Sequence, residues 1–235
     1  MPNWVYNELK VSRKVWDAIK APYDEKKHYD GMKNKDGYTF DFNAIIPMPE
    51  ELADTTSGGN EWDAVVAYLS KKHNTTNAKE LFGKEKNILL SLNMFFSVDS
   101  AQSCLNRIAT DNETDLNEHI LVGEKYVNLY EKYGACDWYK WSCENWGTKW
   151  NACDVCIDES SEDSVLITFN TAWDPPYPIY EKIAELFPEE ETCGYCEEEG
   201  DCFEPFEWEI HNGQVYSWGV PHKYGDDEEA KEENE

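Results

Sequence analysis

Trp4-Val5-Tyr6-Asn7-Glu8-Leu9-Lys10-Val11-Ser12, followed by Arg13-Lys14-Val15-Trp16-Asp17-Ala18-Ile19, decides the fold. After its first residues the run alternates apolar and polar, the period of a strand with one buried face. Ser12 then stands where a hydroxyl caps a helix, and Val15, Trp16 and Ile19 recur at helical spacing. The stretch reads as a strand leading directly into a short helix.

Outward from this β-α opening, residues 24–37 are polar and loop-like, and Tyr38-Thr39-Phe40-Asp41-Phe42 alternates as a second strand. Ile45-Ile46-Pro47-Met48-Pro49 forces an extended exit, because proline keeps its predecessor out of the helical region. Gly58-Gly59 breaks the chain, and Trp62, Val65, Val66 and Leu69 mark a helix. Helices are expected again over about residues 100–109 and 118–133. The C-terminal third turns to strands. Residues 150–158 and 164–170 pair across a polar link, and 178–187 form a helix with Ile179, Ile183, Leu186 and Phe187 inward. Strands return at 192–198, 203–211 and 214–218, the last two joined by Asn212-Gly213, whose positive-φ preference makes a tight hairpin.

One β-α unit and a later β-β-α-β-β series make an α+β chain. The expectation is a ferredoxin-like antiparallel sheet with helices packed on one face and a mostly helical central insertion. Its parts are 1–54 and 136–224 for the sheet domain, 55–135 for the insertion, and 225–235 as an acidic disordered tail.

The 235 residues carry 48 Asp and Glu against 21 Lys and Arg, a formal charge of −27, yet 14% are aromatic, including ten Trp. A chain so rich in large apolar side chains folds. Seven acids without a base lie between Glu189 and Asp201, and residues 226–235 hold seven more against Lys231. Such a field repels nucleic acid and anionic membrane and favours a basic protein partner. The most apolar window, 88–98, is too short to span a bilayer and is interrupted by Ser91, Asn93 and Ser97. With no basic-then-apolar leader, the expected location is the cytoplasm.

Met1-Pro2-Asn3-Trp4, Ile45-Ile46-Pro47-Met48-Pro49-Glu50-Glu51-Leu52, Asn145-Trp146-Gly147-Thr148-Lys149-Trp150-Asn151-Ala152, Phe169-Asn170-Thr171-Ala172-Trp173-Asp174-Pro175-Pro176 and Glu198-Glu199-Gly200 come in an order and at separations that matter together. The set resembles the YubB-like group of phage and plasmid proteins, also described as Api-ninety-two-like. The resemblance implies a ferredoxin-like domain and an association with phages and mobile elements. It supplies no catalytic residues. The Cys-x-x-Cys pairs and the acidic tail depart from the group's pattern.

Eight cysteines raise the question of a metal. Cys153-x-x-Cys156 and Cys193-x-x-Cys196 have the local spacing of zinc knuckles. A strand over 150–158 would send Cys153 and Cys156 to opposite faces, so buried free thiols are the preferred reading and structural zinc the alternative. Acids at 197–199 would raise, not lower, a thiol pKa at Cys193 or Cys196, which argues against a redox dithiol. The five histidines show no paired metal-site spacing, and neither a nucleophile elbow nor a phosphate loop is present.

The densest candidate is aromatic: Trp138, Tyr139, Trp141, Trp146 and Trp150, with Trp173 later. One strand or turn cannot bury so many rings on one face, and tryptophan at a surface is favoured in contacts with partners. Trp138, Trp141, Trp146, Lys149, Trp150, Trp173, Asp174, Glu198 and Glu199 are therefore the candidate partner-binding residues. The expected function is a non-enzymatic acidic interaction protein of a phage or mobile element, a counter-defence inhibitor that mimics nucleic acid on a basic host protein. The alternatives are an enzyme using Asp174 with Glu198 or Glu199 as acid and base, and a zinc-stabilised adaptor.

Overall fold

The computed structural model describes residues 2–28, 31–93, 95–200 and 202–219; the acidic stretch 226–235 and His222 lie outside them. In chain order the elements are β1 (Trp4–Ser12), α1 (Arg13–Ile19), β2 (Lys20–Pro22), β3 (Tyr38–Phe40), α2 (Glu50–Ala53), α3 (Gly59–His73), α4 (Ala78–Lys84), α5 (Lys86–Leu92), α6 (Val98–Ile108), α7 (Glu113–Tyr133), α8 (Trp138–Asn145), β4 (Cys153–Asp158), β5 (Ser164–Ala172), α9 (Tyr177–Leu186), β6 (Thr192–Glu198), β7 (Phe206–His211) and β8 (Gln214–Gly219). They fall into two units. The sheet unit comprises Met1–Ile45 and Trp150–Glu235, and the helical unit comprises Ile46–Lys149.

In the sheet unit the strand order is β4-β5-β1-β6-β7-β8, with every neighbouring pair antiparallel. Read along the chain, β1-α1-β4-β5-α9-β6 is a split β-α-β-β-α-β set with β1 and β5 central, which is the ferredoxin-like order. The β7-β8 hairpin extends it on the β6 side. Its turn is Asn212-Gly213 at φ 50° and 73°, as expected for two residues that must both take positive φ.

Strand alternation sets the core. Val5, Leu9 and Val11 of β1, Val165, Ile167 and Phe169 of β5, and Trp208 and Ile210 of β7 are buried with Val15, Trp16 and Ile19 of α1 and Ile179, Tyr180 and Ile183 of α9. Each such large side chain contributes roughly 1.5–3 kcal/mol by leaving water. Tyr180 stacks on Trp208 at 4.1 Å. Gly194 of β6 makes that possible, because a Cβ there would lie 2.5 Å from the Trp208 ring and 2.2 Å from the Glu8 carbonyl oxygen. Asn7, also buried, is satisfied: its Nδ2 donates to the Val5 carbonyl and Thr171 Oγ1, and its Oδ1 accepts from Tyr180.

Local expectations change at four places, the first being the strand expected from residue 203, which begins at Phe206. The strand from Tyr38 stops at Phe40, because the Asp41 carboxylate accepts from the Asn43 amide and starts a single 3₁₀ turn over Phe42–Ala44. Residues 150–152 do not join β4, which begins at Cys153 and is bulged before Cys156, with Asp154 at φ 51°. In α9 Ile179 and Ile183 point inward, but Leu186 is 49% exposed, while Tyr180 and Ala184 are buried. At about 100° per residue those four buried positions define an arc whose centre lies about a quarter turn from Leu186, which falls just past its edge.

The helical unit packs α3 against α7 at close range. Gly123 allows it, since a Cβ there would meet the Ala64 carbonyl oxygen at 2.0 Å. The core runs through Val65, Val66 and Leu69 of α3, Leu81 of α4, Leu89 of α5, Leu105 of α6 and Tyr126 and Val127 of α7. Asn77, Ser97 and Asn112 cap α4, α6 and α7, so the latter two start a few residues earlier than their apolar spacing suggests. Asp63 takes a fork of hydrogen bonds from Arg107 at 2.7 and 2.6 Å. Among the described residues, no helix is long and apolar enough to cross a membrane.

Candidate functional site

The nine candidate residues divide between the units, and each group is built differently. In the helical unit the aromatic run is a helix, not a strand or turn. Asp137, buried, caps it by accepting from the Lys140 amide at 2.9 Å. Helical spacing turns Trp141 inward, where it meets Trp146 edge-on at 5.5 Å; the Trp146 indole donates to the Ile46 carbonyl at 2.9 Å. Both indoles are buried, at 6% and 5% exposure, so they serve the unit's own interior. The Ser142 hydroxyl bonds the Lys149 carbonyl at 2.8 Å and folds the segment back. That leaves Tyr139 at the surface, with Trp138 half-buried beside it at 5.8 Å and the Lys149 ammonium 5.5 Å from the Tyr139 ring.

In the sheet unit the remaining candidates gather where β1 begins and β5 and β6 end. Trp150 lies against Trp4 at 6.0 Å. Glu199 closes the strand end, its backbone N–H donating to the Trp4 carbonyl while its carboxylate accepts from the Trp4 amide at 2.9 Å. The Glu198 carboxylate accepts from the Cys202 amide at 2.7 Å. Trp173, leaving β5, is 51% exposed and held at φ 77°, with its amide donating to the Asn3 carbonyl. The Asp174 carbonyl accepts from Thr171 Oγ1.

The electrostatics separate the two acids at this end. Burial, and then the nearby Glu198 charge, push the Asp174 carboxyl above the ordinary range. The Cys202 amide holds Glu198 below it. Tyr177, which follows the two prolines, is pushed up to about 12 by burial, Cys196 and Asp174. Two carboxyls of separated proton affinity are the raw material of acid–base chemistry.

Sequence reasoning missed a third surface, the open face of the sheet. Because α1 and α9 cover one face, the alternate residues of every strand stand on the other. Register aligns Glu8 with Tyr195 and Tyr195 with Glu207; Lys10 with Cys193, Cys193 with Glu209 and Glu209 with Tyr216; and Tyr6 with Glu197. Asp158 and Cys156 join from β4. The signal was in the alternation of β1, β6 and β7, but it is a face only once strand order is known. A hollow of about 460 Å³ on this face is lined by Glu8, Lys10, Cys193, Tyr195, Glu207 and Glu209.

The knuckle cysteines occupy strands. Cys193 is exposed on the open face, whereas Cys196 is buried on the covered one, donating to Asn7 Oδ1 at 3.4 Å. Cys153 is half-exposed and Cys156 exposed, on either side of the β4 bulge. Among the described residues, no three His, Cys, Asp or Glu side chains are grouped to hold a metal ion. His28, His73, His119 and His211 each sit against a carboxylate: Asp41, Glu85, Asp111 and Glu209.

No family model matches the chain, and no curated protein matches it. Among solved structures, the chain is distantly similar to a crystal structure of the protein api92 from Yersinia pseudotuberculosis, with 8% identity and a TM-score of 0.36 over 94% of this chain and 99% of that one.

Proposed function

We propose that this chain is a non-enzymatic interaction protein that engages a basic protein, its carboxylates taking the places of nucleic-acid phosphates. In the setting of a phage or mobile element, this makes it a counter-defence inhibitor of a DNA-acting host protein. The observation that carries the reading is how charge is partitioned. The sheet unit has 32 acids against 11 bases, and from Trp150 onward 25 acids face only Lys182, Lys223 and Lys231. The helical unit, with 16 acids and ten bases, is nearly balanced by comparison. A field this one-sided steers cationic partners and repels nucleic acid. Exposed Trp173 and Tyr139 add aromatic area of the kind that anchors contacts.

Capture from host lysate at low and at high salt tests it. Basic proteins should be retained at about 50 mM salt and released by about 500 mM, because the pairing of many exposed charges is screened. Retention indifferent to salt would reject the reading. A second reading, acid–base chemistry by Asp174 and Glu198, is favoured by their opposed shifts alone.

A further inference from the structure

Resting on the acidic-interaction reading above, we propose that the open face of the sheet is the docking surface and that its occupant is an arginine-rich segment of the partner. Charge is the first reason. Glu8, Asp158, Glu197, Glu207 and Glu209 share this face with Lys10 and with His211, which is itself paired to Glu209. A second copy of the same face, a nucleic acid and an anionic membrane all carry the wrong sign.

The arrangement of rings is the second reason, and it selects arginine over lysine. Tyrosine and carboxylate alternate along β1 as Tyr6 and Glu8 and along β6 as Tyr195 and Glu197. They alternate across the strands as Glu8, Tyr195 and Glu207, and again where Glu209 meets Tyr216. Neighbouring strands are about 4.8 Å apart and same-face residues along a strand about 7 Å apart, so every ring has a carboxylate within reach of one guanidinium. The tyrosines also orient their neighbours: Tyr6 donates to Glu8 at 2.9 Å and Tyr195 to Glu197 at 3.0 Å. Tyr6 and Tyr216 are 38% and 47% exposed, so their rings are open to a ligand. A guanidinium is planar, weakly hydrated and forked; it can stack on a ring while bonding the adjacent carboxylate in plane. An ammonium gains the carboxylate but little of the stacking. The hollow between Glu8, Tyr195 and Glu209 supplies the concavity for such a side chain.

Fluorescence anisotropy of the full-length protein with labelled nona-arginine and nona-lysine peptides, at about 150 mM salt, tests this. Glu8→Gln with Glu207→Gln should weaken nona-arginine binding about tenfold, the loss of two charge-assisted contacts. Glu181→Gln with Glu185→Gln, an equal change of charge on exposed positions of α9, should leave it within about twofold. Tyr6→Leu with Tyr195→Leu should reduce arginine binding to the lysine level. Equal losses in the two glutamine pairs, or no preference for arginine in the unaltered protein, would overturn the face while leaving the broader acidic reading intact. Failure to bind either peptide even at about 20 mM salt would overturn both, since screening is then weak.

Discussion

Trp173 leaves β5 in a left-handed backbone conformation that costs a non-glycine residue of order 1–2 kcal/mol. Its amide is bonded to Asn3 and its indole is half in solvent, and it presents Asp174 to the Glu198 charge. Because burial and that charge both favour the protonated form, Asp174 should titrate above an ordinary aspartate in a carbon-detected NMR titration, and Glu198→Gln should bring it partway down. The sign for stability follows. The native state holds this proton to higher pH than the unfolded chain, so the contribution of Asp174 declines as pH rises from the ordinary aspartate value through the raised one. Above that window Asp174→Asn should stabilise the protein, and a titration at or below the usual aspartate range would remove the second functional reading. These acids could be picked out in sequence because they stand at the ends of two strands, β5 and β6, which flank β1. That Glu199 and Glu198 are occupied with the amides of Trp4 and Cys202 could not, since a backbone partner leaves no mark on the side-chain pattern.

Elements were legible where one strong local rule operated. Ser12 ahead of Val15, Trp16 and Ile19 gives α1, and Asn212-Gly213 gives the β7-β8 turn, because capping and positive φ are decided within a few residues. Helices α4 and α5 went unseen, since at seven residues each they show barely two turns of periodicity. Helix α8 went unseen because its tryptophans mask the spacing. The two close approaches were equally silent, as a glycine announces freedom without naming the neighbour it admits. Gly194→Ala should drive a methyl into the Glu8 carbonyl and the Trp208 ring, and Gly123→Ala should force α7 off Ala64. Each overpacks a buried contact and should lower unfolding free energy by about 1–3 kcal/mol or more, measured by urea titration. Gly83→Ala in α4, where a Cβ meets nothing within 4 Å, should be neutral or slightly stabilising. A Gly194→Ala protein as stable as the parent would mean that Trp208 does not pack over β6.

The same fold must hold a charge that opposes it. The sheet unit carries a net −21 and the helical unit −6, so self-repulsion at neutral pH falls mainly on the sheet. Isolated surface ion pairs, such as Lys14 with Glu190 at 2.7 Å, offset little of it. Raising ionic strength from about 10 mM to about 0.15 M shortens the screening length from about 30 Å to about 8 Å. That change reaches repulsion spread over a whole unit, while a part-buried contact such as that of Asp63, itself buried, with Arg107 is screened less. Hydrogen exchange reads the units separately in one intact protein, because amides of β1 and β6 report on the sheet and those of α3 and α7 on the helical unit. Protection in β1 and β6 should rise with salt, and rise more than in α3 and α7. A docked cationic peptide should act in the same direction at low salt, because it neutralises the charge that salt merely screens. Protection that falls with salt in β1 and β6 would mean that local ion pairs outweigh the net field, and the partition of charge would then be a poor guide to what this surface binds.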